Sequence, residues 1–117
     1  MWVTNTATST RFLKFYNATA ASVVVGTTTP VAGTTYVVAG TWAVNDFRLY
    51  VNGAEEGNDT AGAAPVALNA NIFVGQRRDT AWQFNGAIQH LCIWDRALPA
   101  GEVESNANWL MGKVGLL

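Results

Sequence analysis

Charge is what this chain has least of. Only 13% of its 117 residues are Asp, Glu, Lys or Arg, against roughly 25% in an average soluble domain. Seven cationic residues face eight acidic ones, for a formal net charge of −1, so no basic field exists to hold nucleic acid. Arg77-Arg78 is a pair without a longer run around it. One cysteine, Cys92, excludes an internal disulfide. Lying in an apolar stretch, it is expected to be a small buried hydrophobe. One histidine, His90, supports neither a Ser-His-Asp triad nor a two-His metal site. No apolar run approaches the roughly 20 residues of a membrane-crossing helix. The opening MWVTNTATSTR has no charged leader before an apolar core, so no secretory signal is expected.

Half of the residues are hydrophobic and five are Trp. A surface so short of charge is expected either to be covered by another chain or to be a Thr- and Asn-rich β surface of extracellular type. The length suits one domain, taken as residues 1–117, with one core.

The most legible stretch runs from Thr34 to Gly57, TTYVVAGTWAVNDFRLYVNGAEEG. Tyr36, Val38 and Trp42 share one parity, and Phe47, Leu49 and Val51 alternate with Arg48, Tyr50 and Asn52. A period of two predicts half-buried strands. Asn45-Asp46 is expected in the loop between the first two, and Asn52-Gly53 at a two-residue hairpin turn, whose central residues both take positive φ. The prediction is a three-stranded antiparallel meander.

Upstream, Arg11 to Asn17 and Ser22 to Gly26 read as strands able to pair as a hairpin, with Met1 to Thr10 as an edge strand or loose arm anchored by Trp2-Val3. Gly26 to Gly33 is a loop. Downstream, Asn71 to Gln76 is a strand, and Arg77 to Ala81 is the loop where charge concentrates. Trp82 to Asp95 is the longest β candidate, with a bulge expected near Gln89-His90 because the spacing of Ile88, Leu91 and Ile93 changes there. Pro99 opens a helix of about three turns. Val103, Ala107 and Leu110 lie on its apolar face and Glu102 and Glu104 at the favourable end of its dipole. It is expected to cap an open end of the sheets.

Two pieces, Tyr36 to Gly57 and IFVGQRR followed by FNGAIQHLCIWDRAL-PAGEVESNANWL, resemble the concanavalin A-like jelly roll of the laminin-G-like and pentraxin type. Phe84, Gly86, Ile88, Leu91, Ile93, Arg96, Ala97, Leu98 and Glu102 stand where the closing strand and the small acidic helix of that pattern place them. The resemblance implies an all-β antiparallel sandwich with one short C-terminal helix. Gln89 and His90 stand where family members commonly carry an acidic pair, so no role of those acids transfers. Several N-terminal strands of the family are absent, which implies a reduced sandwich or one completed by a neighbouring chain. Arg11 to Val31 is similar to a short strand-turn-strand stretch of tailed-phage structural proteins.

Hydrolases on this jelly roll need two carboxyl groups sharing a face across the scissile bond. Glu55-Glu56 is the only close pair in a strand here, and adjacent strand residues point to opposite faces, so no enzymatic activity is expected. Asn45, Asp46, Asn58, Asp59 and Asn69 could offer oxygen ligands to Ca²⁺, but they are also ordinary turn formers, and no cofactor is expected. Trp42 and Trp94 are expected in the core. Trp82, in the charged loop with Arg77, Arg78 and Asp79, is the candidate ligand-binding cluster, since Trp stacks on sugars and anchors protein contacts and Arg pairs with carboxylates.

Two functions follow from these readings. One is a non-catalytic lectin-like module that binds glycan or protein through its surface loops. The other is a virion structural protein, a capsid decoration or tail component, that self-associates through low-charge β faces. Neither nucleic acid nor membrane is an expected partner, and the expected location is extracellular or on a virion surface, reached without a signal peptide.

Overall fold

The computed structural model describes residues 2–3, 13–17, 22–62, 74–75 and 83–117, with side chains described within 24–62, 74–75 and 83–117. Six strands form two three-stranded antiparallel sheets. The first contains β1 (Trp2–Val3), β2 (Leu13–Asn17) and β3 (Ser22–Val25), in that order. Phe15 lies opposite Val24 and Asn17 opposite Ser22, which is the hairpin expected from the sequence. The second contains β4 (Val38–Ala43), β5 (Asp46–Val51) and β6 (Ala54–Asp59), the expected meander.

The turns decide the register of this meander. Asn52 and Gly53 both adopt positive φ, 50° and 84°, the conformation a right-twisted two-residue hairpin requires. Asn52 also uses its side chain: Oδ1 accepts a hydrogen bond from the Val37 amide at 2.9 Å. The other turn is Val44-Asn45, with Asn45 at φ 57°. Asp46 already begins β5, one residue earlier than expected.

Alternation on β5 then sorts the two faces. Phe47, Leu49 and Val51 are buried with Val24 of β3, and Tyr36 and Val38 pack against this cluster. The two sheets therefore meet face to face through β3 and β5, as in a sandwich. Gly57 of β6 passes so close to β3 that a Cβ there would lie 2.9 Å from the Val25 carbonyl oxygen. The opposite face of β5 carries Asp46, Arg48 and Tyr50. Tyr50 forms a second buried cluster with Leu98 and Val103, and Ala39 packs against it.

The helix α1 (Ala100–Lys113) has 14 residues, more than the three turns expected. Its buried residues are Val103, Ala107 and Met111, so the inward stripe is i, i+4, i+8, and Leu110 is only half-buried. The helix lies on the outer face at the β5–β6 hairpin, where a Cβ on Gly53 would come within 3.3 Å of Ala107 Cβ.

Three expectations are corrected. From Phe84 to Asp95 no strand forms among the described residues, although the residue types are strong β-formers. Propensity is not a ladder: a strand needs a neighbour to take its N–H and C=O groups. Among the described residues, the Phe84 amide donates to the Gly75 carbonyl at 2.7 Å. With no ladder there is no bulge at Gln89-His90. The register shift lies instead between Leu49 and Tyr50 against β6, where Leu49 faces Gly57 and Tyr50 faces Glu55. Cys92 is exposed rather than buried, and Trp42 and Trp94 are 40% and 41% exposed rather than enclosed in the core. Trp42 sits opposite Phe47, one pair from the end of the β4–β5 ladder. The expected strand at 71–76, the loop Arg77 to Ala81 and Trp82 fall wholly or largely outside the described residues.

Candidate functional site

The outer face of the second sheet holds the site. Strand pairing sets Thr41 opposite Arg48 and Ala39 opposite Tyr50, and on the other side Arg48 opposite Asn58 and Tyr50 opposite Glu55. Arg48 is therefore central to a polar row across β5 and β6. Its Nε donates to Asp46 Oδ1 at 2.5 Å and its Nη1 to Glu55 Oε2 at 2.9 Å. Glu55 Oε1 in turn accepts from Asn58 Nδ2 at 2.8 Å. The two carboxylates hold the Arg48 guanidinium charged well above its ordinary range. The hydrogen bond from Asn58, and after it the one from Arg48, lowers the Glu55 carboxyl below its ordinary value.

Beside this row the chain returns from residue 96 into α1. The Ala97-Leu98-Pro99-Ala100 segment and the strand residues Thr41, Asp46, Arg48 and Tyr50 enclose a depression of about 360 Å³. That lies at the lower end of the range for small-molecule sites, about 300–1,000 Å³. One wall is polar and charged, the other apolar. Pro99 occupies the N-cap of α1 and supplies no side-chain cap. The Glu102 and Val103 amides bond the Pro99 carbonyl, while the amide of Ala100, at the very start of the helix, has no intrahelical acceptor.

Two lining residues carry hydroxyls that are out of water. Tyr50 is 2% exposed and Thr41 8%. Neither side chain makes a hydrogen bond among the described residues. Buried polar groups are almost always satisfied, and an orphan marks a place where a water or a ligand belongs. Two orphans lining one depression are the most informative feature of this surface.

Glu56 goes elsewhere. It accepts bonds from the Thr27 and Thr28 amides, both at 2.9 Å, and from the Thr28 hydroxyl. The adjacent acids Glu55 and Glu56 thus serve different partners. Of the expected oxygen ligands, Asp46 accepts from Arg48 and Asp59 from the Ala61 amide at 2.9 Å, Asn58 donates its Nδ2 to Glu55, and Asn69 lies outside the described residues. Among the described residues no group of three or more His, Cys, Asp or Glu side chains could hold a metal ion. His90 is exposed. The predicted cluster of Trp82, Arg77, Arg78 and Asp79 lies outside the described residues.

The Arg48 groove was not singled out from the sequence. Its signal was present, in that Asp46, Arg48 and Tyr50 share a parity, but its second wall comes from residues fifty positions away.

Two antiparallel sheets share a core through β3 and β5, and the C-terminal helix packs on the Tyr50 face of the second. Residues 1–104 match the family model of the concanavalin A-like lectin/glucanases superfamily, laminin-G type, and the chain belongs to that family. No curated protein matches it. Among solved structures it is similar to residues 221–444 of an S-layer domain-containing protein from Clostridium thermocellum ATCC 27405, with a TM-score of 0.61 and 20% identity. That similarity covers 82% of this chain and 49% of the other, so the chain spans about half the length of its structural neighbour. At this identity the likeness is one of fold.

Proposed function

We propose that this chain is a non-catalytic recognition module that takes a glycan or protein ligand at the outer-face groove beside α1. The carrying observation is the pair of buried hydroxyl-bearing residues Thr41 and Tyr50, without a hydrogen-bond partner among the described residues, in one depression with Arg48 and Asp46. A general acid needs its pKa raised toward the working pH, whereas Glu55 is shifted the other way. This supports binding rather than hydrolysis. The loop with Arg77, Arg78, Asp79 and Trp82 is the competing position for the site. Binding to immobilised glycans and peptides, measured for a Tyr50→Phe/Asp46→Ala variant and a Trp82→Ala/Arg77→Ala variant, decides between them. The groove pair is expected to lose binding. If only the loop pair loses it, the groove is not the site.

A second reading, assembly into a surface array or onto a virion as a decoration or tail component, has its own observation. Ile88, Leu91 and Ile93 are each half or more exposed and Trp94 is 41% exposed, in a stretch from Phe84 to Trp94 without Asp, Glu, Lys or Arg. Contiguous exposed apolar surface of this kind marks interaction sites. The similar fold of an S-layer domain-containing protein is in keeping with a surface role. Sedimentation over a hundredfold concentration range tests it, and a monomer throughout would rule it out.

A further inference from the structure

Resting on the reading of the chain as a recognition module, we propose that the groove beside α1 recognises an N-acylated amino sugar through its acetamido group. Charge comes first. One guanidinium, Arg48, is shared by two carboxylates, Asp46 and Glu55, so the row has no positive charge left for an anion. Sialic and uronic acids are thereby disfavoured, and an uncharged sugar is compatible with the row.

The unused hydrogen-bonding groups describe that ligand further. Thr41 and Tyr50 offer hydroxyl donors that meet no partner among the described residues, and the Ala100 amide is a helix-start donor on the same rim. Together they need an acceptor such as a carbonyl oxygen. Asp46 has Oδ1 committed to Arg48, and its Oδ2 remains an acceptor for an N–H. The facing wall of Ala97, Leu98 and Pro99 offers only apolar contact at the scale of a methyl group. A neutral group with one acceptor, one donor and one methyl is an acetamide. A plain hexose has hydroxyls for the polar wall and ring C–H groups for the apolar one, but it lacks the amide N–H and the methyl that this pairing suits. The ring that carries the acetamide would lie along the exposed row of Arg48, Glu55 and Asn58, which suits hydroxyls. This favours a sugar over the aliphatic stem of an acetylated lysine.

The test titrates the full chain with N-acetylglucosamine, glucose and N-acetyl-lysine methylamide. Backbone amide shifts and calorimetry are the readouts. The expected result is binding of N-acetylglucosamine with shifts at Tyr50, Leu98 and Ala100, and glucose weaker by at least about tenfold, as two lost hydrogen bonds imply. Tyr50→Phe should weaken N-acetylglucosamine by about fivefold, the equivalent of one hydrogen bond. The same variant should melt no lower than the parent without ligand, because its hydroxyl had no partner to lose. Equal affinity for glucose and N-acetylglucosamine at the groove overturns the acetamido assignment and leaves the module reading intact. Tighter binding of the acetyl-lysine probe overturns the sugar. If no glycan or peptide binds the chain at all, the module reading fails with it. If N-acetylglucosamine shifts only residues outside the groove, the site is wrong.

Discussion

Replacing Gly57 by Ala tests how closely the two sheets approach. A Cβ at Gly57 would stand 2.9 Å from the Val25 carbonyl oxygen and 3.0 Å from Val24 Cγ1. Neither atom can move cheaply. The carbonyl belongs to the β3 backbone, and Val24, 2% exposed, is buried against Phe47, Leu49 and Val51. Overpacking of this sort costs about 1–3 kcal/mol. An Ala in a strand also recovers some of the entropy that Gly loses on folding, about 0.5–1 kcal/mol, so a net loss of about 1–2 kcal/mol is expected. For a domain of this size that corresponds to a fall in Tm of roughly 4–10 °C. Gly112→Ala is the matched control: it lies in α1 with nothing within 4 Å of the added Cβ, and should stabilise by up to about 1 kcal/mol. Urea unfolding followed by tryptophan fluorescence and circular dichroism gives both values, with equal m-values required for the comparison. A Gly57→Ala protein as stable as the parent, beside a Gly112→Ala protein that gains as expected, would refute the close approach of β6 to β3.

Three further outcomes follow from the same structure. Asn52→Ala loses both the tolerance of positive φ at the hairpin and the bond to the Val37 amide; about 1–2 kcal/mol of destabilisation is expected by urea titration. Glu56→Ala releases the Thr27 and Thr28 amides, so hydrogen exchange at those two amides should accelerate at least about tenfold while the amides of β5 keep their protection. The Glu55 carboxyl lies below its ordinary 4.5 in the folded chain, chiefly through Asn58 and then Arg48. As pH falls below that ordinary value the unfolded chain binds the proton first, so the stabilising contribution is complete above 4.5 and is lost as pH drops through the folded value. The Tm gap between the parent and Glu55→Gln should therefore shrink on acidification from about pH 7 to 3, and a gap independent of pH would contradict the network.

The stretches read correctly from the sequence share a property: their partners are near in the chain. The β4–β5–β6 meander is held by turns of two residues, so period-two alternation and Asn52-Gly53 were enough to place Phe47, Leu49 and Val51 on one face and Arg48 and Tyr50 on the other. The β2–β3 hairpin was legible for the same reason. The carboxylates of Glu55 and Glu56 reach different partners, at the place where β6 carries its register shift against β5. Where the sequence misled, a distant partner decides. Phe84 to Asp95 has the composition of a strand, but among the described residues it forms no ladder, and Cys92 and Trp94 are exposed with it.

Local chemistry alone thus established the meander, the hairpin register and the start of the helix at Pro99, because each depends on dihedral preferences and periodicity within a few residues, whereas the sandwich class came from the family resemblance. Only tertiary structure decided which face α1 covers, that Met111 rather than Leu110 turns inward, and that the Ala97–Ala100 segment closes over Thr41 and Tyr50. The groove exists only where residues 97–100 meet residues 41–50. The separation of its two walls along the chain is why no periodicity announces it, and the burial of two hydroxyls without partners is visible only once both walls are in place.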